Sequence, residues 1–166
     1  MREAIGGSWI FGIVALFIVL FSSFIAYSIS YTKAFKTKNE IINYIEKNEG
    51  FTQSGIDDMT IDQIRTLKTT DALAYLAIQN MGYNTEQIDC SKYGVQQRGG
   101  YCVARYCVKN ADDNQKVYYK VTTFIKIKIP VINLVLQLPI MGETKSLYFE
   151  QNNVIGCYSY TDNVNY

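Results

Sequence analysis

Histidine is absent from all 166 residues, proline occurs twice and tryptophan once. The missing imidazole removes the commonest general base, the usual catalytic zinc ligand and the side chain that changes charge near neutral pH, and most hydrolase constellations go with it. An excess of one charge is also lacking: sixteen Lys and Arg stand against fifteen Asp and Glu, leaving +1. So weak a field does not gather a phosphate backbone, and nucleic acid is not an expected partner. The chain has no Walker A loop, GxGxxG, GxSxG or HExxH, which excludes the usual phosphate cradles, the nucleophile elbow and the metalloprotease helix. Glu143 with Glu150, and Asp112 with Asp113, are carboxylate pairs that nothing in the sequence places in a cleft. Asp57, Asp58 and Asp62 lack the spacing and closing Glu of an EF-hand and read as a solvated helix start. The expectation is a non-enzymatic chain with no metal and no cofactor.

What is present begins with four cysteines, Cys90, Cys102, Cys107 and Cys157, without a CxxC and without histidine. That pattern fits no usual zinc site and points to disulfides in an oxidising compartment. In GYCVARYCVKN, residues 100–110, two cysteines lie an odd number of positions apart on an alternating strand, so their side chains take opposite faces. A bond between Cys102 and Cys107 is therefore disfavoured. Two pairings remain: Cys90 to Cys102 with Cys107 to Cys157, or Cys90 to Cys107 with Cys102 to Cys157.

The longest uncharged run stretches from Ala4 to Thr32, and Ser8 to Tyr31 is long enough as a helix to cross a hydrocarbon core of about 30 Å. Trp9 at one end and Tyr27 and Tyr31 at the other suit the two interfaces. The run exceeds the apolar region of a signal peptide and no Ala-x-Ala follows, so a retained anchor is expected behind a short leader, residues 1–7. The serines within it, Ser22, Ser23, Ser28 and Ser30, are expected to bond their own helix carbonyls. Orientation is contested: Lys33, Lys36 and Lys38 against Arg2 and Glu3 would hold the large domain inside by the positive-inside count, whereas the cysteines place it outside. The cysteines are given the greater weight.

Nothing after Tyr31 stops the helix before Gly50. Ala34, Phe35, Ile41, Ile42 and Ile45 fall at helical spacing, so residues 32–49 read as an amphipathic extension that packs on its own domain or on a neighbour. Two short helices follow, one opened by the TIDQ capping box at 60–63, the other capped by Thr70 or Asp71 and ending before Gly82. QQRGGY reads as a turn, and the sheet begins near Tyr101. NADDNQ, 110–115, turns a hairpin into KVYYKVTTFIKIKI, with Val117, Tyr119, Val121, Thr123, Ile125, Ile127 and Ile129 on one face and Lys116, Lys120, Lys126 and Lys128 on the other. PVINLVLQLPIMG, 130–142, is uncharged and fenced by prolines; it is too short to span and reads as a buried crossover, or else a hydrophobic tip on the bilayer or a partner. ETKSLYFE returns as a strand, and residues 50–166 make one extracytoplasmic α+β domain. The fold class is thus α+β: a long N-terminal transmembrane helix extending into a small antiparallel β-sheet domain with covering helices.

Residues 3–46, EAIGGSWIFGIVALFIVLFSSFIAYSISYTKAFKTKNEIINYIE, together with the strand, proline-bounded connection and GET-initiated strand at 116–149, give the chain a lollipop outline that resembles the TadE-like minor pseudopilins among the pilin-like proteins. The resemblance covers about half the chain. It implies a structural or assembly role in a bacterial pilus or secretion apparatus, with the bilayer, other pilin-like or secretion-system membrane proteins and a second copy of the chain as partners. It departs at processing: neither Gly6 nor Gly7 is followed at the fifth position by the glutamate of a prepilin site, and Glu3 lies upstream of both. The leader is expected to stay. A membrane-tethered binding module for envelope polymer or a surface ligand, using the basic sheet face and the 130–142 tip, is the alternative.

Overall fold

A computed structural model describes residues 2–83, 88–109, 115–129, 134–148 and 157–158. One helix, α1, runs unbroken from Arg2 to Lys47, about 70 Å at 1.5 Å per residue. Proline is absent from it, and the four expected serines bond within the helix: Ser22, Ser23, Ser28 and Ser30 donate to the carbonyls of Ile18, Val19, Phe24 and Ala26 at 2.7 to 3.0 Å. The stop comes one residue earlier than glycine preference suggests. Glu49 takes the left-handed conformation, φ 53, and the Gly50 N–H reaches back to the Ile45 carbonyl at 3.0 Å, which closes the last turn.

A 3-10 turn at Ile56–Asp58 leads into α2, Ile61–Thr66, and α3, Thr70–Met81. The Thr60 N–H donates to Gln63 Oε1 at 2.9 Å, the reciprocal half of the expected box. The N-cap of α3 is Thr69, one residue before the expected cap, and Asp71 is put to a different use. Its buried carboxylate accepts from the Ser54 N–H at 2.6 Å and the Ser54 hydroxyl at 3.0 Å, fastening the loop that follows α1 onto α3. As expected, α3 ends at Gly82, which holds φ 61.

The strands are β1 Val95–Gln97, β2 Tyr101–Lys109, β3 Gln115–Ile129, β4 Leu134–Glu143, β5 Leu147–Tyr148 and β6 Cys157–Tyr158. The sheet runs β1-β2-β3-β4, all antiparallel. Short β6 pairs parallel to β2 at Arg105 and Tyr106, and β5 pairs with β3 at Lys116 and Val117. Between β4 and β5, Thr144 keeps contact with β3: its N–H donates to the Tyr119 carbonyl, and its Oγ1 accepts from the Tyr119 N–H, each at 2.9 Å. The returning strand expected over 143–150 is therefore a continuation of β4's edge, of which Leu147–Tyr148 are strand and 149–150 lie outside the described residues.

Two readings are corrected. The sheet starts at Val95, because the Arg98–Gly100 turn folds β1 onto β2 with Gln97 opposite Tyr101; a three-residue strand rich in Gln carries no apolar alternation to reveal it. The uncharged 130–142 stretch is no crossover either. From Leu134 onward it is β4, hairpin partner of β3 from Ile129 back to Lys120, while 130–133 lie outside the described residues. Pro139 is tolerated there because β4 is an edge strand. The hairpin between β2 and β3 stands as expected, with Lys109 opposite Gln115 and its loop, 110–114, likewise undescribed.

Both faces of the sheet's centre are covered. On one, Tyr101, Val103, Val117, Tyr119, Val121 and Ile125 pack with Ala34, Ile41 and Ile45 of α1, Ala74 and Ile78 of α3, and Phe51. On the other, Cys102 and Phe124 pack with Ile88 and Cys90, and Tyr93 meets Phe124 edge-on at 5.6 Å. Gly94 permits that loop to lie flat: at φ 113, a Cβ there would collide with the Val103 carbonyl oxygen.

The Tyr101 hydroxyl is fully buried, with no hydrogen-bond partner among the described residues. Burial pushes its ionisation far above the ordinary phenol range, reinforced by the Asp71 carboxylate, and burial raises Tyr119 too. The unfolded chain releases these protons near pH 10 and the folded one does not, so their contribution is whole below about pH 10 and is lost as pH rises above it. Thermal unfolding followed from about pH 8 to about pH 11 should show a falling Tm, and Tyr101→Phe should flatten the fall while costing little at about pH 8, since it removes an unpaired buried hydroxyl.

Candidate functional site

Helix α1 has two halves with different surroundings. The apolar window within Trp9–Lys47 has a mean hydropathy of 2.5 and is 0% buried by the rest of the chain. This helix is long and apolar enough to cross a membrane, and unlike the core helix of a soluble domain it leaves that length uncovered. Its side chains stack along the helix at intervals of four: Phe17 on Phe21 at 6.1 Å, then Tyr27, Tyr31 and Phe35 in a ladder at 6.4 and 6.1 Å.

Above the ladder the helix enters the head. Ala34, Thr37, Lys38, Ile41 and Ile45 are buried, and Ile42 is half-buried. Ile41, Ile42 and Ile45 thus pack where the periodicity places them. Phe35 does not: at 39% exposed it lies off the buried stripe, stacked on Tyr31 with the Lys38 ammonium 4.4 Å from its ring centre. Thr37 and Lys38 take the place it was expected to fill. The spacing 34, 37, 38, 41, 45 contains them, but their polarity hides them from an apolar count. The contacts explain both. Thr37 faces α3, its hydroxyl 3.6 Å from Met81 Sδ, and the Lys38 stem crosses Gly142 of β4 alongside Ile42, so close that a Cβ on Gly142 would lie 2.8 Å from either side chain.

At the corner where α1 leaves the head lies a groove of about 530 Å³, walled by Phe21, Phe24, Ile25 and Ile29, roofed by Met81 and rimmed by Lys33 and Lys36. Lys33 Nζ sits beside Gly82 at the carbonyl end of α3, where a cation is favoured. Apolar walls below two exposed ammonium groups can hold an acyl chain or a neighbouring helix with an anionic group at its end.

Of the four cysteines, Cys90 and Cys102 are bonded to each other, with Cα atoms 5.7 Å apart, ordinary spacing for a disulfide. Cys107 is also disulfide-bonded. It packs toward α1 while Cys102 packs toward Ile88 and Phe124, the opposite faces that strand parity requires. The backbone of Cys157 pairs with Arg105, two residues from Cys107; its side chain lies outside the described residues. The basic face expected on β3 is less free than its sequence implies, for Lys120 is half-buried and pairs with Glu143 at 3.7 Å. No protein-family model, curated protein or solved structure matches this chain.

Proposed function

We propose that the chain is a single-pass, non-enzymatic, TadE-like pseudopilin component of a bacterial surface pilus or secretion apparatus, its head on the outer side of the cell membrane. The observation that carries this reading is the division of α1: one unbroken helix is a central part of the head's core above Ala34 and is bare below it. Such a helix transmits the position of the membrane segment rigidly to the head, and its uncovered length, with small and hydroxyl residues among aromatics, is free to pack against other helices in lipid. The Cys90–Cys102 bond supports an oxidising location for the head. The alternative, a tethered binding module, draws less support, because the sheet face it would use is partly covered by Tyr93 and partly neutralised by Glu143.

A photo-crosslinking residue placed at Phe24 and, separately, at Phe35 tests the proposal in cells. Both side chains are exposed. Adducts to a second copy or to another membrane protein are expected from these two positions and not from exposed Asp58 on the head. A chain that yields lipid adducts alone at both positions speaks against assembly.

A further inference from the structure

The groove beneath the end of α3 changes character along its length. Phe21, Phe24, Ile25 and Ile29 wall its lower part. The two hydroxyls that line it are already engaged: Ser28 donates to the Phe24 carbonyl at 3.0 Å and Thr32 to the Ser28 carbonyl at 2.9 Å. Below the rim the lining therefore offers apolar surface. At the rim stand the ammonium groups of Lys33 and Lys36, both exposed, and neither forms an ion pair among the described residues, not even Lys36 with Glu40 one turn above it. The roof is held from inside the head, Met81 Sδ accepting from the buried Thr37 hydroxyl at 3.6 Å.

Depth and charge define what fits. Lys33 is the first charge after the uncharged run of α1, which puts the rim at headgroup level. From Lys33 down to Phe21 is twelve residues, about 18 Å of helix, against roughly 15 Å for half of a hydrocarbon core. The groove thus runs the depth of one leaflet, and its volume of about 530 Å³ is that of a small-ligand pocket. Two cations over an apolar trough complement a molecule with an anionic head and an acyl chain. A helix fits less well: one as long and unbroken as α1, laid in the groove, would run into Met81 and the end of α3, whereas a lipid ends at its phosphate. We propose that the groove binds an anionic phospholipid of the leaflet on the head's side, its phosphate between Lys33 and Lys36 and one acyl chain along Ile29, Ile25 and Phe21. This rests on α1 crossing the bilayer, and it stands whatever apparatus the protein serves. Phe24 and Ile29 flank the groove's midline at about 3.6 residues per turn, and Phe24, 65% exposed, keeps its outer side for a neighbouring protein.

The chain's sole tryptophan, Trp9, makes the test clean. In full-length protein carrying Trp9→Phe, a reporter is introduced by Ile29→Trp at the groove's edge or by Tyr27→Trp, which lies outside the groove on the opposite side of the helix. Both side chains are exposed, so either substitution leaves the core intact. The protein is placed in phosphatidylcholine vesicles in which a minority of the lipids, either phosphatidylglycerol or phosphatidylcholine, carry brominated acyl chains. At Ile29→Trp, brominated phosphatidylglycerol should quench about threefold or more as strongly as the same fraction of brominated phosphatidylcholine, with no such excess at Tyr27→Trp. Lys33→Gln with Lys36→Gln should abolish the excess and leave quenching by wholly brominated phosphatidylcholine unchanged. Equal quenching by the two lipids at Ile29→Trp overturns the proposal, and so does an excess of the same size at Tyr27→Trp, which would reveal diffuse attraction in place of a site. Loss of quenching at Ile29→Trp alone, with blue-shifted emission, would put a protein in the groove. No quenching at either position in wholly brominated lipid would show α1 outside the bilayer, and the membrane reading would fail together with the site.

Discussion

A chain that begins at Gly50 will not fold, whereas one that begins at Lys33 will give a folded head free of the membrane. The difference lies in one stretch of helix. Ala34, Ile41 and Ile45 are fully buried in the main core against β3 and α3. Removing a buried isoleucine costs about 2 to 5 kcal/mol, so losing two of them, with Ala34 and Thr37 besides, removes about as much as a domain of this size has in total. Two further ties go at the same time: the Lys145 N–H to Glu46 Oε1 bond at 2.9 Å and the Thr123 bond to Ala34. By contrast, residues 9–32 are not buried by the head, which they meet at the corner by Met81. Circular dichroism and thermal unfolding of the two truncations give the answer. The point substitution Ile41→Ala in the longer one should lower stability by about 2 to 5 kcal/mol.

The second large effect belongs to the Cys90–Cys102 bond. Joining residues 12 apart removes loop freedom from the unfolded chain worth roughly 3 kcal/mol. The bond also holds Ile88 and Tyr93 over Phe124, and without it that face of β2 and β3 opens to water. Cys90→Ala with Cys102→Ala should therefore lower Tm by about 10 to 20 °C in a scan of the soluble head. Hydrogen exchange should rise first in the segment that follows Ile88, while α1 and α3 stay protected. A Tm within about 2 °C of the parent would show that the loop is held by packing alone.

How far these features could be read from sequence depends on the kind of signal each one carries. The long helix, the pair α2 and α3 and the β2–β3 hairpin have strong periodicities and caps, and they appear where Thr60, Gly82 and the alternation from Tyr101 to Ile129 place them. The opposite faces of Cys102 and Cys107 follow from parity, which tertiary context cannot change without a bulge. β1 is invisible because its Val-Gln-Gln borrows its order from β2. β4 was hidden by its weak alternation: Leu134, Val135 and Leu136 are apolar in succession and Gln137 alone interrupts the run before Leu138, a pattern shared by buried strands and connections. The site at the membrane boundary was half legible. Isoleucines of α1 announce the buried stripe; Thr37 and Lys38 complete it through contacts with Met81 and Gly142 that are distant in sequence.

The most direct test of the account is the redox state of the four cysteines in the living cell. Cells expressing the full chain are quenched with acid, denatured and treated with a maleimide mass tag, with and without prior reduction. The account predicts no shift until a reductant is added and then a shift of four tags, because Cys90 and Cys102 share one bridge and Cys107 takes part in another on the oxidising side of the membrane. Four tags on the unreduced chain would place the head in the cytosol and contradict the account.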